Sequence, residues 1–520
     1  MSFAALYGRA SAAAARLEAL GIGPGDGIGV LGPNDSTWAA WAFGVWMRGC
    51  TLVPIPFNVR VRDREALSEQ VATLSRVAGC AVVLAHPDLV HAAPDEVAAS
   101  WELDGDGLAR RMKRAPQVRP DQPATIQFTS GSTGSPKAAV VTHAAILASI
   151  RQAALAFDVD ASRDRFLGWL PFFHDNGLVG YLARPVVLGC EGDVMSTAWF
   201  AAEPAAWLRL MGEAGTTITT APSSAWAAAL RAAERDRGGI DLSMMRLAIL
   251  SAETIDPDVV DRLVEAAPGM GLRPNALAGA YGLAEATLTV TVTTPGAGLG
   301  IESVDADRLG SGVAAPARSG AVKRIASCGR ALPGLDVRIL GEDGPLDDRR
   351  VGEICVRGPT LMRGYLGDGN RAVQDGWLRT GDLGYLAQGE LFVTGRAEDV
   401  IIVTGRNHAP EDLEWAAGRV PGLRPGRCVA FQRPGGAEGE AVLLVEARDG
   451  SAGSDLARDL AREVRRSVAD AVGVFSLEVV IVEQGTVPKT TSGKLRRSAA
   501  KEAFASGSLE PRVVSRSSGA

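Results

Sequence analysis

At 520 residues the chain is too long for a single hydrophobic core, and 46% hydrophobic with 22% charged residues is the composition of folded domains, not of a disordered chain. A formal net charge of −6 and 5% aromatic residues argue against a nucleic-acid backbone as the main partner. The six cysteines (Cys50, Cys80, Cys190, Cys328, Cys355 and Cys428) show no C-x-x-C spacing, and most sit in apolar runs. They read as buried, reduced thiols, and the five histidines form no ligand cluster. No window reaches the roughly 18 apolar residues of a membrane span. Met1 to Gly23 is Ala-rich but broken by Arg9, Arg16 and Glu18, so it reads as an amphipathic helix and not as a signal peptide. A soluble, cytoplasmic protein is expected.

In chain order, that helix stops at Gly21-Ile22-Gly23-Pro24-Gly25-Asp26. A strand over Ile28 to Leu31, a Trp- and Ala-rich helix from Ser36 to Gly49, and strands over Thr51 to Ile55 and Ala81 to Ala85 follow. Strands alternating with helices predict a mainly parallel α/β sheet. Arg111 to Pro123 is charged and proline-rich, a linker into the next segment.

The next segment, from Thr125 to Lys137, runs from four strand-like residues into a Ser/Thr/Gly loop closed by Pro136-Lys137. Small residues let backbone N–H groups approach a polyanion, hydroxyls add donors, and Lys137 adds a point charge suited to phosphate oxygens. The loop reads as a triphosphate or pyrophosphate cradle. Pro136 before the Lys excludes a Walker loop, and there is no G-x-G-x-x-G.

Farther along, Leu167 to Gly177 joins an apolar strand to a His174-Asp175 turn, followed by the apolar Leu178 to Leu182. On its own His174 reads as a core or capping histidine. Thr216 to Thr220 and Leu247 to Leu250 are strands, the second leading into Ser251-Ala252-Glu253. In Tyr281-Gly282-Leu283-Ala284-Glu285, the ring suits stacking on a base and the carboxylate suits holding Mg²⁺ against phosphate oxygens. Residues 295–325 lack periodicity and read as a long loop. Short strands over Asp336 to Leu340, Gly352 to Arg357 and Leu391 to Thr394 predict a small β-subdomain. Within it, Thr380-Gly381-Asp382 reads either as a turn or as a carboxylate able to accept both ribose hydroxyls. Residues 410–505 alternate strand (Ala441 to Ala447, Leu477 to Val482) and helix (Asp455 to Ala471), and the Ser/Gly/Arg/Val tail after Ala505 is expected to be disordered.

Taken together and in this order, five segments resemble the motifs of the adenylate-forming superfamily, which includes acyl-CoA synthetases and fatty acyl-AMP ligases. They are Thr129 to Lys137; Pro171-Phe172-Phe173-His174-Asp175; Tyr281 to Glu285; Thr380-Gly381-Asp382; and Pro488-Lys489-Thr490-Thr491-Ser492-Gly493-Lys494. The His-Asp segment, Ala284 and Gly405-Arg406-Asn407-His408 are similar to fatty acyl-AMP ligases in particular. Members usually carry a further stretch ahead of the Gly-Pro-Gly-Asp turn, so the expectation is either an incomplete first sheet or a misassigned start codon.

The resemblance implies an α/β fold: a large N-terminal domain (1–395) of two α/β subdomains plus a small β-subdomain, and a small mobile lid (396–505) before the tail 506–520. It implies that Thr129, Ser130, Gly131, Ser132, Thr133, Gly134 and Lys137 hold the phosphates and that Tyr281 and Gly282 border adenine. Asp382 and Arg396 are placed on the ribose, Glu285 on Mg²⁺, His174 beside the acyl carboxylate and Lys494 at the α-phosphate as the catalytic cation. Glu398 takes the hinge position, where Asp or Lys is usual. The implied reaction is ATP-dependent activation of a hydrophobic carboxylic acid to acyl-AMP, followed by thioester formation. Fatty acyl-AMP ligases deliver to a carrier-protein phosphopantetheine and typically carry an insertion that disfavours CoA. The connection from Tyr365 to Trp377 is short, which favours CoA as acceptor, with a carrier protein as the alternative. A nucleotide-binding homologue without chemistry is a third reading, disfavoured because every charged residue the chemistry needs is present.

Overall fold

The computed structural model describes residues 1–57, 64–95, 98–103, 116–129, 137–234, 238–368, 372–403, 405–435, 439–448, 454–489 and 494–517. Two seven-stranded sheets dominate. The first is ordered Gly364–Tyr365, Lys137–Thr142, Pro123–Thr129, Thr51–Pro54, Gly27–Leu31, Cys80–Ala85, Ala98–Ser100. Its strands from Pro123–Thr129 to Ala98–Ser100 run parallel, and Lys137–Thr142 pairs antiparallel with both Pro123–Thr129 and Gly364–Tyr365.

Period-two alternation divides this sheet's side chains between two cores. Ile28, Leu52, Val82, Leu84 and Val141 face helices Phe3–Ala19 and Ser36–Met47, whereas Val53, Val83, Ile126 and Val140 face helix Arg64–Ala78. Asp35 starts the Trp-rich helix by accepting the N–H groups of Thr37 and Trp38 at 2.8 and 2.7 Å.

The second sheet is ordered Arg330–Ala331, Thr289–Val292, Leu277–Gly282, Leu247–Leu250, Ile218–Ala221, Arg165–Gly168, Glu191–Val194. Trp207 and Trp226 are fully buried in its core. The π-helix Asn176–Ala183 is wholly buried and touches both cores, Leu178 and Leu182 on the first and Tyr181 on the second.

A third sheet carries the β-subdomain: Gly344–Pro345, Asp336–Gly341, Gly352–Arg357, Trp377–Ala387 and Val373–Gln374, with Glu390–Arg396 paired to Trp377–Ala387. Asp382 is not in a turn. It lies inside Trp377–Ala387, where Gly381 at φ +74° admits an irregularity, and faces Arg396 across the ladder.

Residues 295–325 are not one long loop either. Ile301–Asp305 pairs antiparallel with Val322–Ala326 around the short helix Ala306–Gly310. Val304 and Ile325 are buried there against Tyr385 and Phe392, so the apolar partners of this hairpin come from distant sequence.

The C-terminal part builds its own cores. A hairpin (Ile401–Val403 with Arg406–His408) leads into a four-stranded sheet ordered Leu423–Gln432, Ala441–Ala447, Leu477–Val482, Val513–Ser517. Helices Pro410–Gly418 and Ser454–Val472 cover one face, and helix Arg497–Ala505 the other. The expected disordered tail is thus corrected through residue 517. Val513–Ser517 closes the open edge of Leu477–Val482, and Arg516 Nη1 donates to Glu478 Oε1 at 3.1 Å. Among the described residues no helix is long and apolar enough to cross a membrane.

Candidate active site

Strands Arg165–Gly168, Ile218–Ala221, Leu247–Leu250 and Leu277–Gly282 run parallel, so their carboxyl ends share one edge, where open α/β sheets bind ligands. The segments that follow them line one cavity of about 2820 Å³ through Phe173 to Asn176, Pro222 to Ser224, Ser251 to Glu253 and Leu283 to Glu285. Gln127 to Thr129 and Lys137 of the first sheet, Arg379 to Asp382 and Arg396 of the β-subdomain, and Lys489 and Lys494 of the C-terminal part complete its wall.

Thr129 and Lys137 are Cα partners at the ends of antiparallel strands, so the connection between them starts and finishes at the cavity. The proposed cradle residues Ser130, Gly131, Ser132, Thr133 and Gly134 lie outside the described residues. Lys137 Nζ stands 5.3 Å over the ring of Tyr365. The Tyr365 hydroxyl donates to Glu285 Oε1 at 2.6 Å, fixing the carboxylate expected to carry magnesium. Burial and the adjacent Glu285 charge push the Tyr365 phenol well up, so it stays a donor.

Tyr281 donates its hydroxyl to Asp382 Oδ2 at 2.6 Å, and Arg396 Nε donates to Asp382 Oδ1 at 2.9 Å. Burial and the Asp382 carboxylate push the Tyr281 phenol well up. Residues about a hundred positions apart thereby form one rigid carboxylate cluster. Arg396 Nη1 also lies 3.6 Å from Glu398, which sits half-exposed in the turn Ala397–Asp399 between the β-subdomain and the C-terminal hairpin. Gly282 is fixed by sterics: a Cβ there would stand 2.0 Å from the carbonyl oxygen of Leu288.

His174 lines the same cavity, with Nδ1 3.9 Å from Oδ1 of Asp175, the residue that caps helix Asn176–Ala183. Gln127 Nε2 donates to the Phe173 carbonyl at 2.6 Å, tying this segment to the strand that precedes the cradle. Burial pushes the Asp175 carboxyl up, but His174 and the charge of Lys494 outweigh it and leave it below its ordinary value. Glu253 goes the other way: burial raises it, and Ser224 together with Lys494 and Lys489 offsets only part of that. Lys494 is therefore within electrostatic reach of both carboxylates.

Two non-glycine residues adopt left-handed backbone next to cavity carboxylates. Ala252 (φ +70°) precedes Glu253, and Thr287 (φ +69°) follows Glu285 by two positions, held by its hydroxyl donating to Thr360 O at 2.6 Å. Such strain costs about 1–3 kcal/mol each and clusters at functional sites.

Every described residue proposed from the sequence thus borders this one cavity, including Lys494. Sequence reasoning missed Tyr365, Asp175 and Glu253. Tyr365 belongs to the two-residue edge strand Gly364–Tyr365, too short to leave a periodic signal, and only its pairing with Ala139 brings it beside Lys137. No group of three or more His, Cys, Asp or Glu among the described residues is arranged for a metal ion. A site with one protein carboxylate suits Mg²⁺, which takes its other ligands from substrate phosphates and water. The cavity wall also includes the apolar residues Phe157, Trp169, Phe200, Ala201, Ala225 and Ala228.

The model of the AMP-binding enzyme family matches residues 1–366. Rv1013 of Mycobacterium tuberculosis, which carries no name finer than ligase, is 37% identical over 95% of this chain and 92% of its own. The long-chain-fatty-acid–AMP ligase FadD26 of the same species is 31% identical over 97% of this chain and 91% of its own. A solved structure from a study of fatty acyl-adenylate ligases of E. coli and L. pneumophila superposes with a TM-score of 0.89 at 30% identity, covering 98% of this chain and 93% of that one. The chain belongs to the AMP-binding family of adenylate-forming ligases.

Proposed function

We propose that the protein activates a hydrophobic carboxylic acid with ATP and then transfers the acyl group to the thiol of CoA. In the first half-reaction an acyl carboxylate oxygen attacks the α-phosphorus. The bond to the β-phosphate bridging oxygen breaks, giving acyl-AMP and pyrophosphate. Two anions must meet, so the barrier is largely electrostatic. The single observation that carries this reading is the convergence of Lys137, Glu285, Asp382, Arg396 and Lys494 on one cavity, though they span most of the chain.

Lys494 supplies positive charge where the α-phosphate becomes pentacovalent, and Lys137 does so for the departing pyrophosphate. Asp382 is held by Tyr281 and Arg396 through one lone pair on each oxygen, which leaves acceptor capacity for the ribose hydroxyls. The Tyr281 ring and Gly282 border adenine. Glu285, oriented by Tyr365, would hold Mg²⁺, which when bound neutralises phosphate charge. His174 stands where the acyl carboxylate enters along the apolar wall. We assign residues 1–395 and 396–505 to large and small domains that pivot at Glu398, withdrawing Lys494 before thioester formation.

Lys494→Ala is expected to abolish acid-dependent ATP–pyrophosphate exchange, a loss of about 10³-fold or more, while ATP still binds. Full exchange in that variant removes Lys494 from the chemistry. CoA is favoured as acceptor by the short connection between Tyr365 and Trp377. A carrier-protein phosphopantetheine is the second reading, supported by relatives named fatty-acid–AMP ligases. Supplying CoA or a holo-carrier protein separately to enzyme, ATP and acid, and following thioester formation, decides between them.

A further inference from the structure

Among the buried residues that line the cavity is a cation that the adenylation chemistry does not use. Arg184 follows the buried helix Asn176–Ala183, is 3% exposed, and lines the same cavity as His174. Its guanidinium carbon lies 5.0 Å over the Phe157 ring. Among the described residues, Nε and Nη2 are fully buried with no hydrogen-bond partner, and no carboxylate pairs with the guanidinium. Its titratable neighbour is Tyr181, whose hydroxyl is already donated to Thr220 O at 2.6 Å. Burial draws the Arg184 guanidinium down to about 10, which still leaves it charged at neutral pH. A desolvated cation with unsatisfied donors is destabilising unless something brings it an anion, and a ring face compensates only part of that cost.

We propose that the acid activated here carries a second carboxylate at its far end, and that Arg184 binds it. This deepens the adenylation reading and rests on it. The walls between the two ends favour a hydrocarbon chain: Trp169 and Phe200 stack at 3.7 Å, flanked by Ala198 and Ala201. A methyl terminus would leave the guanidinium uncompensated. A hydroxyl terminus would supply an acceptor without charge, whereas a carboxylate brings the opposite charge to the guanidinium, with Nη1 as the donor not sealed in the core. The buried helix Asn176–Ala183 that separates His174 from Arg184 in the chain advances roughly 10 Å at helical rise. That separation suits a long linear diacid rather than a short one.

The test uses the wild-type full-length enzyme in acid-dependent ATP–pyrophosphate exchange, with linear α,ω-diacids and methyl-ended monoacids paired by length. At the optimal length the diacid is expected to exceed its monoacid in kcat/KM by about 10²-fold, because a site built around a polar partner rejects the analogue that lacks it. Arg184→Met should invert the preference with KM for ATP unchanged, and Arg184→Lys should restore part of it. Monoacid exchange by Arg184→Met reports that the variant folds, and the wild-type comparison stands without any variant. Monoacids equal to or better than diacids at every length in the wild type would overturn the Arg184 assignment and leave adenylation standing. Exchange with no acid of either series would overturn both.

Discussion

Tyr365 shows how a neutral side chain can order two charges. Its hydroxyl bonds Glu285 and its ring face supports Lys137, so the carboxylate proposed for magnesium and the lysine proposed for phosphate are contacted by one residue. Lys489, in the same motif as Lys494, makes a prediction at this scale. Burial is the main reason its ammonium falls from the usual 10.5 to about 8, with Arg427 adding repulsion and Glu253 and Glu446 pulling the other way. Below pH 8 it is charged folded or unfolded, and folding bears the full cost of desolvating it. Between 8 and 10.5 the folded state has released a proton that the unfolded chain keeps, so this group makes stability rise with pH across that window. Lys489→Met should flatten the rise, read from urea midpoints of the two proteins over that range. Parallel slopes would show that Lys489 keeps an ordinary affinity for its proton. The motif containing Lys489 was legible in the sequence. Its depressed affinity was not, because Arg427, Glu253 and Glu446 are remote in the chain.

Among the elements, helix Arg497–Ala505 follows directly on the Lys494 segment and is pinned at its first residue. Arg497 donates to both oxygens of the buried Glu414 at 3.0 and 2.8 Å, and pairs with Glu411 at 2.8 Å and Asp399 at 3.3 Å. Even so, burial keeps the Glu414 carboxyl above its ordinary value. Removing the cation strands these carboxylates, so Arg497→Met is expected to destabilise the C-terminal part by about 3–5 kcal/mol. Exchange activity should fall with it, since Lys494 lies three residues upstream. Guanidinium unfolding of the full chain checks this, and an unchanged midpoint would refute it. The strands Ala441–Ala447 and Leu477–Val482 were readable as β-branched apolar runs, and the structure has the same bounds. Val513–Ser517 was not, because two valines among serines and an arginine carry almost no periodic signal. A buried edge strand supplies the missing information.

For the whole molecule, the contacts joining the C-terminal part to the rest are mostly shallow. Arg419 meets Asp258 at 2.6 Å with both side chains more than two-fifths exposed, Arg406 meets Asp307 at the surface, and Lys323 meets the half-buried Asp412 at 2.6 Å. The two exposed pairs contribute about 0–1 kcal/mol each and weaken as salt shortens the Debye length, whereas Lys323 and Asp412 are each less than a fifth exposed. The weakness of the exposed pairs suits the pivoting proposed above. Lys323→Met combined with Arg419→Ser should therefore expand the protein in small-angle scattering and speed proteolysis at the Ala397–Asp399 turn, with little change in melting temperature. Scattering indistinguishable from wild type would mean that the domains are held by other forces. By itself the amino-acid sequence determined the α/β alternation, the order of the five phosphate and nucleotide motifs and the residue types that the chemistry requires, since each is a local pattern of spacing and composition. Only the tertiary structure decided that those segments meet in one cavity, that Tyr365 joins two of them, that the tail closes a sheet and that Arg184 lines the cavity with no carboxylate partner among the described residues. Each of these depends on side chains brought together by packing, and packing partners have no fixed spacing along the chain.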